Sequence, residues 1–170
     1  MYHRILVPID GSSASRRGLK EAIDFAKSLG GQLRLFHVAS EQIVDCGYGG
    51  GTYGGELIEL GRKEGRHVLA EAEVSVRREG LQAETVMVES MNVSAAASIL
   101  TQAREWPADL IVMGTHGRRG LARLAMGSDA ESVVREAPVP VLLVRDFSLP
   151  RPHVSHETTA SAPEDQVLYV

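Results

Sequence analysis

The chain is predicted to fold as an α/β domain, a mostly parallel sheet with helices on both faces. Three observations carry that reading. Four short apolar runs, RILVPI (4–9), LRLFHV (33–38), LIVM (110–113) and VPVLLV (139–144), are near-continuous rather than alternating, as strands buried on both faces are. Segments with helical apolar spacing lie between them, as the crossovers of a parallel sheet require. The length of 170 residues suits one ordinary domain and is short for two.

Element by element, the first strand is 4–9. Ser12 and Ser13 then open a helix in which Leu19, Ala22, Ile23, Ala26 and Leu29 follow a 3.6-residue period, with Gly30-Gly31 as its stop. The run 33–38 is the second strand. DCGYGGGTYGGE (45–56) is rich in glycine but lacks the terminal Gly-Lys-Ser/Thr of a phosphate loop, so 45–55 reads as a flexible inserted connection. Residues 56 to 79 form a long, charged amphipathic helix ending at Gly80, and AETVMVE (83–89) alternates like a more exposed strand. NVSAAASILTQAREW (92–106) is a third helix closed by Pro107, with Trp106 as a packing residue. LIVM is the fourth strand, SDAESVVREA (128–137) a helix stopped by Pro138, and 139–144 the last strand. The domain is therefore expected over 1–145. The tail 146–170 is rich in Pro, Ser, Thr and His and is expected to lack a core of its own, although its final VLYV is apolar enough to pack on the domain or a partner.

Composition excludes several function classes. Apolar residues at 44% and charged residues at 24% match a globular domain and not a disordered chain. A net charge of −4 argues against a protein that mainly grips a nucleic-acid backbone. The single cysteine, Cys46, has no internal disulfide partner, which fits a reducing, cytoplasmic compartment. MYHRILVPID runs directly into the first strand with no apolar stretch of signal or membrane length, so no membrane partner is expected. His153-x-x-His156 has suggestive spacing but no cysteine or carboxylate cluster beside it, and no structural metal site is expected.

The chemistry concentrates in MGTHGRRGLARLAMGSDAE (113–131). Gly114 and Gly117 follow a buried strand, where ligands of doubly wound sheets bind, and a missing Cβ permits positive φ and close approach of backbone to ligand. Gly127-Ser128 opens the last helix. Ser128 reads as its N-cap, with Glu131 three residues on completing a capping box. The same helix end offers free N–H groups and a positive dipole to phosphate. Arg118, Arg119 and Arg123 add charge, each contact being worth roughly 1.5–3 kcal/mol if desolvated. Two such contacts with a helix terminus reach about −4 to −8 kcal/mol, a millimolar to micromolar ligand. A second clue is Pro8, which interrupts what otherwise reads as a central strand, where a ladder donor should not be lost. Asp10-Gly11-Ser12 then sets a carboxylate at the strand end, either as a helix cap or for a ribose hydroxyl or metal.

RILVPIDGS, LRLFHV and VMGTHGRRGLARLAMGSDAESVVREAPVPVLLVR together resemble the universal stress protein family over residues 3 to 145. The specific element is the family's nucleotide signature of Gly, two residues, Gly, nine residues, Gly-Ser/Thr, matched by Gly114, Gly117, Gly127 and Ser128. The resemblance implies a five-stranded parallel sheet of order 3-2-1-4-5, Rossmann-like and similar to adenine nucleotide α-hydrolases. It implies ATP (or ADP/AMP) with Mg²⁺ as ligand. Asp10 would lie near the ribose, Val38 would read adenine through its backbone, and Pro8 would line the same pocket. Met113, Gly114, Thr115, His116, Gly117, Arg118 and Arg119 would wrap the ribose and phosphates, His116 through its backbone. Gly127, Ser128 and Asp129 would hold the phosphate end. The family also implies a homodimer through the last strand, 139–145. The 45–55 segment and the tail depart from the family pattern.

Rival readings differ in class. An ATP-consuming enzyme is disfavoured, because no Walker lysine, pyrophosphatase loop, carboxylate pair or Cys-His couple accompanies the glycines. A switch or scaffold is expected instead, with slow ATP hydrolysis as the alternative. A dinucleotide binder is disfavoured because GTHGRRG lacks G-x-G spacing and comes late in the chain. An interaction protein with no bound nucleotide is the third rival, and the retained signature speaks against it.

Overall fold

The computed structural model describes residues 2–40, 53–90, 93–116 and 126–145. Nine elements alternate: β1 (Arg4–Pro8), α1 (Ser13–Leu29), β2 (Gln32–Ser40), α2 (Tyr53–Arg78), β3 (Ala83–Ser90), α3 (Ala95–Glu105), β4 (Leu110–Gly114), α4 (Ser128–Glu136) and β5 (Val141–Val144). The strands form one sheet of order β3-β2-β1-β4-β5, with every pairing parallel. That is the order and class expected. Among the described residues no helix is long and apolar enough to cross a membrane.

Two cores flank the sheet. Ile5, Val7, Leu33, Leu35, Leu110 and Val112 point toward α1 and α2, while Leu6, Phe36, Ile111 and Met113 point toward α3 and α4. Both faces of β1 and β4 are thus covered, which is why their sequences are apolar without alternation. β3, at one edge, is half-exposed and alternates more. Its acidic residues are tied down. Glu84 accepts from Arg34 at 2.6 Å, and Glu89 accepts two bonds from Arg62 at 2.7 Å. Arg62 lowers the Glu89 pKa, and Arg66, with a smaller contribution from Arg62, lowers that of Glu59. Trp106 packs as expected, with the Arg34 guanidinium 4.5 Å from its ring centroid.

Local signals set most boundaries. α1 stops at Gly30, in the left-handed region at φ 65°, and the Gly31 N–H returns to the Ala26 carbonyl at 3.0 Å. Two expectations need correction. α2 begins at Tyr53, so the last three residues of the 45–55 segment belong to a helix and not to a connection. A helix held by its apolar face (Val68, Leu69, Ala72 and Val76) propagates back through residues of poor intrinsic propensity. The rest of that segment lies outside the described residues. The second correction concerns Ser128, which is the first helical residue of α4, while Gly127 is the N-cap.

Candidate functional site

Three loops meet at the carboxyl ends of β1 and β4, the two strands at which the winding direction changes. The first is the β1–α1 turn. Gly11, at φ 81°, takes a conformation that L side chains rarely adopt, and reverses the chain. The Asp10 carboxylate accepts the Ser12 N–H at 2.9 Å. Ser12, one of the two serines that open α1 in the sequence, is its N-cap and accepts the Ser15 N–H at 3.1 Å. Asp10 therefore braces the turn and does not cap the helix.

The second loop follows β4. Thr115 donates its N–H to the Val144 carbonyl at 2.9 Å, and its hydroxyl lies 3.0 Å from the His116 Nδ1. The His116 carbonyl is 3.4 Å from the Ser12 hydroxyl, bringing the first two loops together. The third is the start of α4. Gly127 donates to the Thr115 carbonyl at 3.0 Å and accepts the Glu131 N–H at 2.9 Å. With glycine at the cap there is no side-chain cap bond, and the N–H groups of Ser128, Asp129 and Ala130 have no partner among the described residues. The exposed Ser128 hydroxyl has no partner among the described residues either.

Several predicted site residues turn out to do structural work. Gly114 is required by packing. A Cβ there would stand 2.8 Å from the Ala14 carbonyl carbon and 3.0 Å from the Ser15 nitrogen. Its φ is not positive, contrary to the conformational argument from sequence. Met113 is 6% exposed with its side chain in the α3/α4 core, so only its backbone is at the site. Asp129 turns one oxygen toward the Ala96 N–H of α3 at 3.3 Å. Gly117, Arg118, Arg119 and Arg123 lie outside the described residues.

Pro8 ends β1 and Val38 lies two residues before the end of β2, both on the face of Leu6 and Phe36. The Pro8 anomaly has a physical account. Backbone groups alternate sides along a strand, and Ile9 addresses β2 while Arg4 addresses β4. Pro8 thus faces β4, yet the β1–β4 pairing ends at Leu6 opposite Ile111. Residue 8 would be the next donor to β4 in that register, and with no N–H there the pairing stops at Leu6.

The convergent loops and the start of α4, which has no side-chain cap, define an α/β domain whose candidate site lies at the switch point of the sheet. Among the described residues no group of three or more His, Cys, Asp or Glu could hold a metal. A separate groove of about 890 Å³ runs between α1 and α2, floored by Leu19, Ile23, Val68 and Ala72. It lies on the opposite face from Pro8 and Val38, and the Lys20–Asp24 and His67–Glu71 pairs lie along its rim.

The chain belongs to the universal stress protein family, whose model matches residues 1–145. It is 33% identical over 151 residues to universal stress protein YxiE of Bacillus subtilis, covering 85% of this chain and 100% of that one. Universal stress protein UspA from Lactobacillus plantarum has a similar structure, with a TM-score of 0.71 and 27% identity over 85% of this chain and 98% of its own. Two further structures contain nucleotides. A universal stress protein in complex with cAMP has a TM-score of 0.62 and 25% identity, covering 84% and 97% of the two chains. The protein from Archaeoglobus fulgidus in complex with dAMP has a TM-score of 0.60 and 26% identity, covering 84% and 98%.

Proposed function

We propose that the protein binds an adenine nucleotide, ATP or ADP/AMP with Mg²⁺, in the crevice between β1 and β4, and acts in the cytoplasm as a stress-response switch or scaffold. The observation that carries this reading is the amino end of α4. Its N-cap is a glycine, its first-turn N–H groups have no side-chain partner among the described residues, and it is tied through Thr115 to the end of β4. A helix N-terminus left open at a switch point is a natural phosphate site. The cAMP and dAMP complexes of related proteins support an adenine nucleotide.

Mg²⁺ fits only as a companion of the phosphates. The described residues offer no carboxylate cage, so phosphate oxygens and water would supply most ligands and the Ser128 hydroxyl at most one. A binding role is favoured over catalysis because the nearby carboxylates already hold backbone, Asp10 at Ser12 and Asp129 at Ala96. Neither is poised as a base. A homodimer through β5 is supported by the contrast between the sheet edges. β3 is guarded by Glu84 and Glu89, whereas β5 carries only the half-buried VLLV. Sedimentation of the purified protein tests that assembly.

Calorimetry with ATP and Mg²⁺ tests the main reading. Binding in the micromolar to millimolar range is expected, weakened about tenfold by Asp10→Ala if one charge-assisted bond is lost. No heat at millimolar ATP refutes it. Turnover of many ATP per minute, abolished by Asp10→Ala, would replace the switch with an ATPase.

A further inference from the structure

Ile9 follows β1 directly, and β2 holds both of its backbone polar groups. Its N–H donates to the Phe36 carbonyl at 2.8 Å. Pro8 is paired with Phe36. Continuing that register would set Ile9 opposite His37 and give the Ile9 carbonyl to the Val38 N–H. The bond formed is a different one. The Ile9 oxygen lies 2.6 Å from Nδ1 of His37, and no Val38-to-Ile9 backbone bond is present among the described residues. A carbonyl only accepts, so this imidazole carries its proton on Nδ1.

The consequence falls on Val38. Gln32 donates to the His3 carbonyl and Phe36 accepts from Ile9, so even-numbered residues of β2 address β1. By the same alternation Val38 turns its N–H and C=O toward β1, beyond the point where β1 has ended. The ring is held in place from behind. His37 is 6% exposed, and a Cβ on Gly65 of α2 would stand 2.7 Å from its Cδ2 and 3.0 Å from its Nε2. Any larger residue at 65 would displace the imidazole, which accounts for a glycine in the middle of a long helix.

We propose that His37 is a positioning residue for the nucleobase: by taking the Ile9 carbonyl out of the β1–β2 ladder, it leaves the N–H and C=O of Val38 to read one edge of a purine. An N–H beside a C=O matches a ring nitrogen acceptor next to an amino donor, the pattern of adenine. Hypoxanthine, with a carbonyl in place of the amino group, mismatches it. The same bond fixes the plane of the Ile9–Asp10 peptide and hence the turn that carries Asp10. This inference rests on the adenine-nucleotide reading above and adds the device that sets base preference.

The test compares ATP with ITP by calorimetry in wild type, His37→Asn and His37→Leu. Asparagine sets its amide nitrogen where Nδ1 stands and keeps the donor; leucine removes it. Wild type and His37→Asn are expected to favour ATP about tenfold, the worth of one to two hydrogen bonds, and His37→Leu about twofold or less. A folded His37→Leu that keeps the tenfold preference overturns the proposal, as does a folded His37→Asn that loses it equally. Should His37→Leu not fold, imidazole ¹⁵N spectra of the wild type decide: a protonated Nδ1 supports the proposal and an Nε2–H tautomer overturns it. Absence of ATP binding by wild type sinks the nucleotide reading and this inference together, whereas binding without base preference sinks this inference alone.

Discussion

Two helices bring their amino ends to the same crevice and are finished in opposite ways. α1 is closed: Ser12 caps Ser15, Asp10 holds the Ser12 N–H, and the Ser15 hydroxyl returns to the Ser12 carbonyl at 3.1 Å. α4 starts from a bare glycine. The topology is the same in both, a helix entered from a strand end, so the difference lies in how each end is capped. α1 is seated against β4 through Gly114, and a side-chain cap holds the Ser15 N–H of its first turn. α4 has no side-chain cap among the described residues, and in the proposed reading its donors serve a phosphate.

The most damaging way to break this contrast is to unseat α1. Gly114→Val drives two methyl groups and a Cβ into the Ala14 backbone and is expected to cost about 3 kcal/mol or more in urea unfolding. Ser12→Ala removes the cap of α1 and should cost about 1 kcal/mol of stability. Ser128→Ala, its counterpart on α4, should change stability by less than about 0.5 kcal/mol yet weaken ATP binding about fivefold, the loss of one hydrogen bond. Equal stability losses in the two serine variants would erase the distinction.

A control comes from the opposite end of β4. Asp109 accepts the Arg4 and His3 N–H groups at 2.8 and 3.0 Å, and these bonds lower its pKa. A depressed carboxylate stabilises when ionised, so its contribution is full above the unfolded pKa and fades as pH falls through the lower folded value. Asp109→Asn is therefore expected to cost about 1 kcal/mol at neutral pH, a deficit that shrinks on acidification, with ATP affinity unchanged. The smallest effect sharpens the contrast most. Gly127→Ser gives α4 a cap in a backbone conformation any residue adopts (φ −63°, ψ 147°). Stability should rise by a few tenths of a kcal/mol, while ATP binding weakens about threefold as the new hydroxyl competes for the N–H groups. Tighter binding in this variant would show that α4 is no anion site.

Where sequence reasoning succeeded and failed has a common cause. Ser-x-x-Glu at 128–131 has the spacing of a capping box, but the spacing cannot say whether the serine precedes the helix or begins it. The Gly127 bonds to Thr115 and Glu131 decide that, and the first joins residues on different elements. The glycine at 114 signalled a tight place correctly, yet the neighbour it makes room for, Ala14, is a hundred residues away. His37 gave only the faint signal of a polar residue inside an apolar strand, and Gly65 that of a glycine inside an amphipathic helix. Neither points to the other, or to Ile9.

By itself the sequence determined the alternation of strands and helices and the wholly buried central strands, because apolar periodicity is a local property that burial selects directly. It also marked Pro8, Asp10 and the Gly114–Ser128 spacing as the places where local rules bend, and its family likeness carried the strand order. Tertiary structure alone decided which helix end stays open and which glycines serve packing. It also decided that a histidine ring takes the place of a ladder donor between β1 and β2. Those outcomes depend on which backbone groups find partners across the fold, and hydrogen-bond satisfaction between distant segments leaves no periodic trace in the chain.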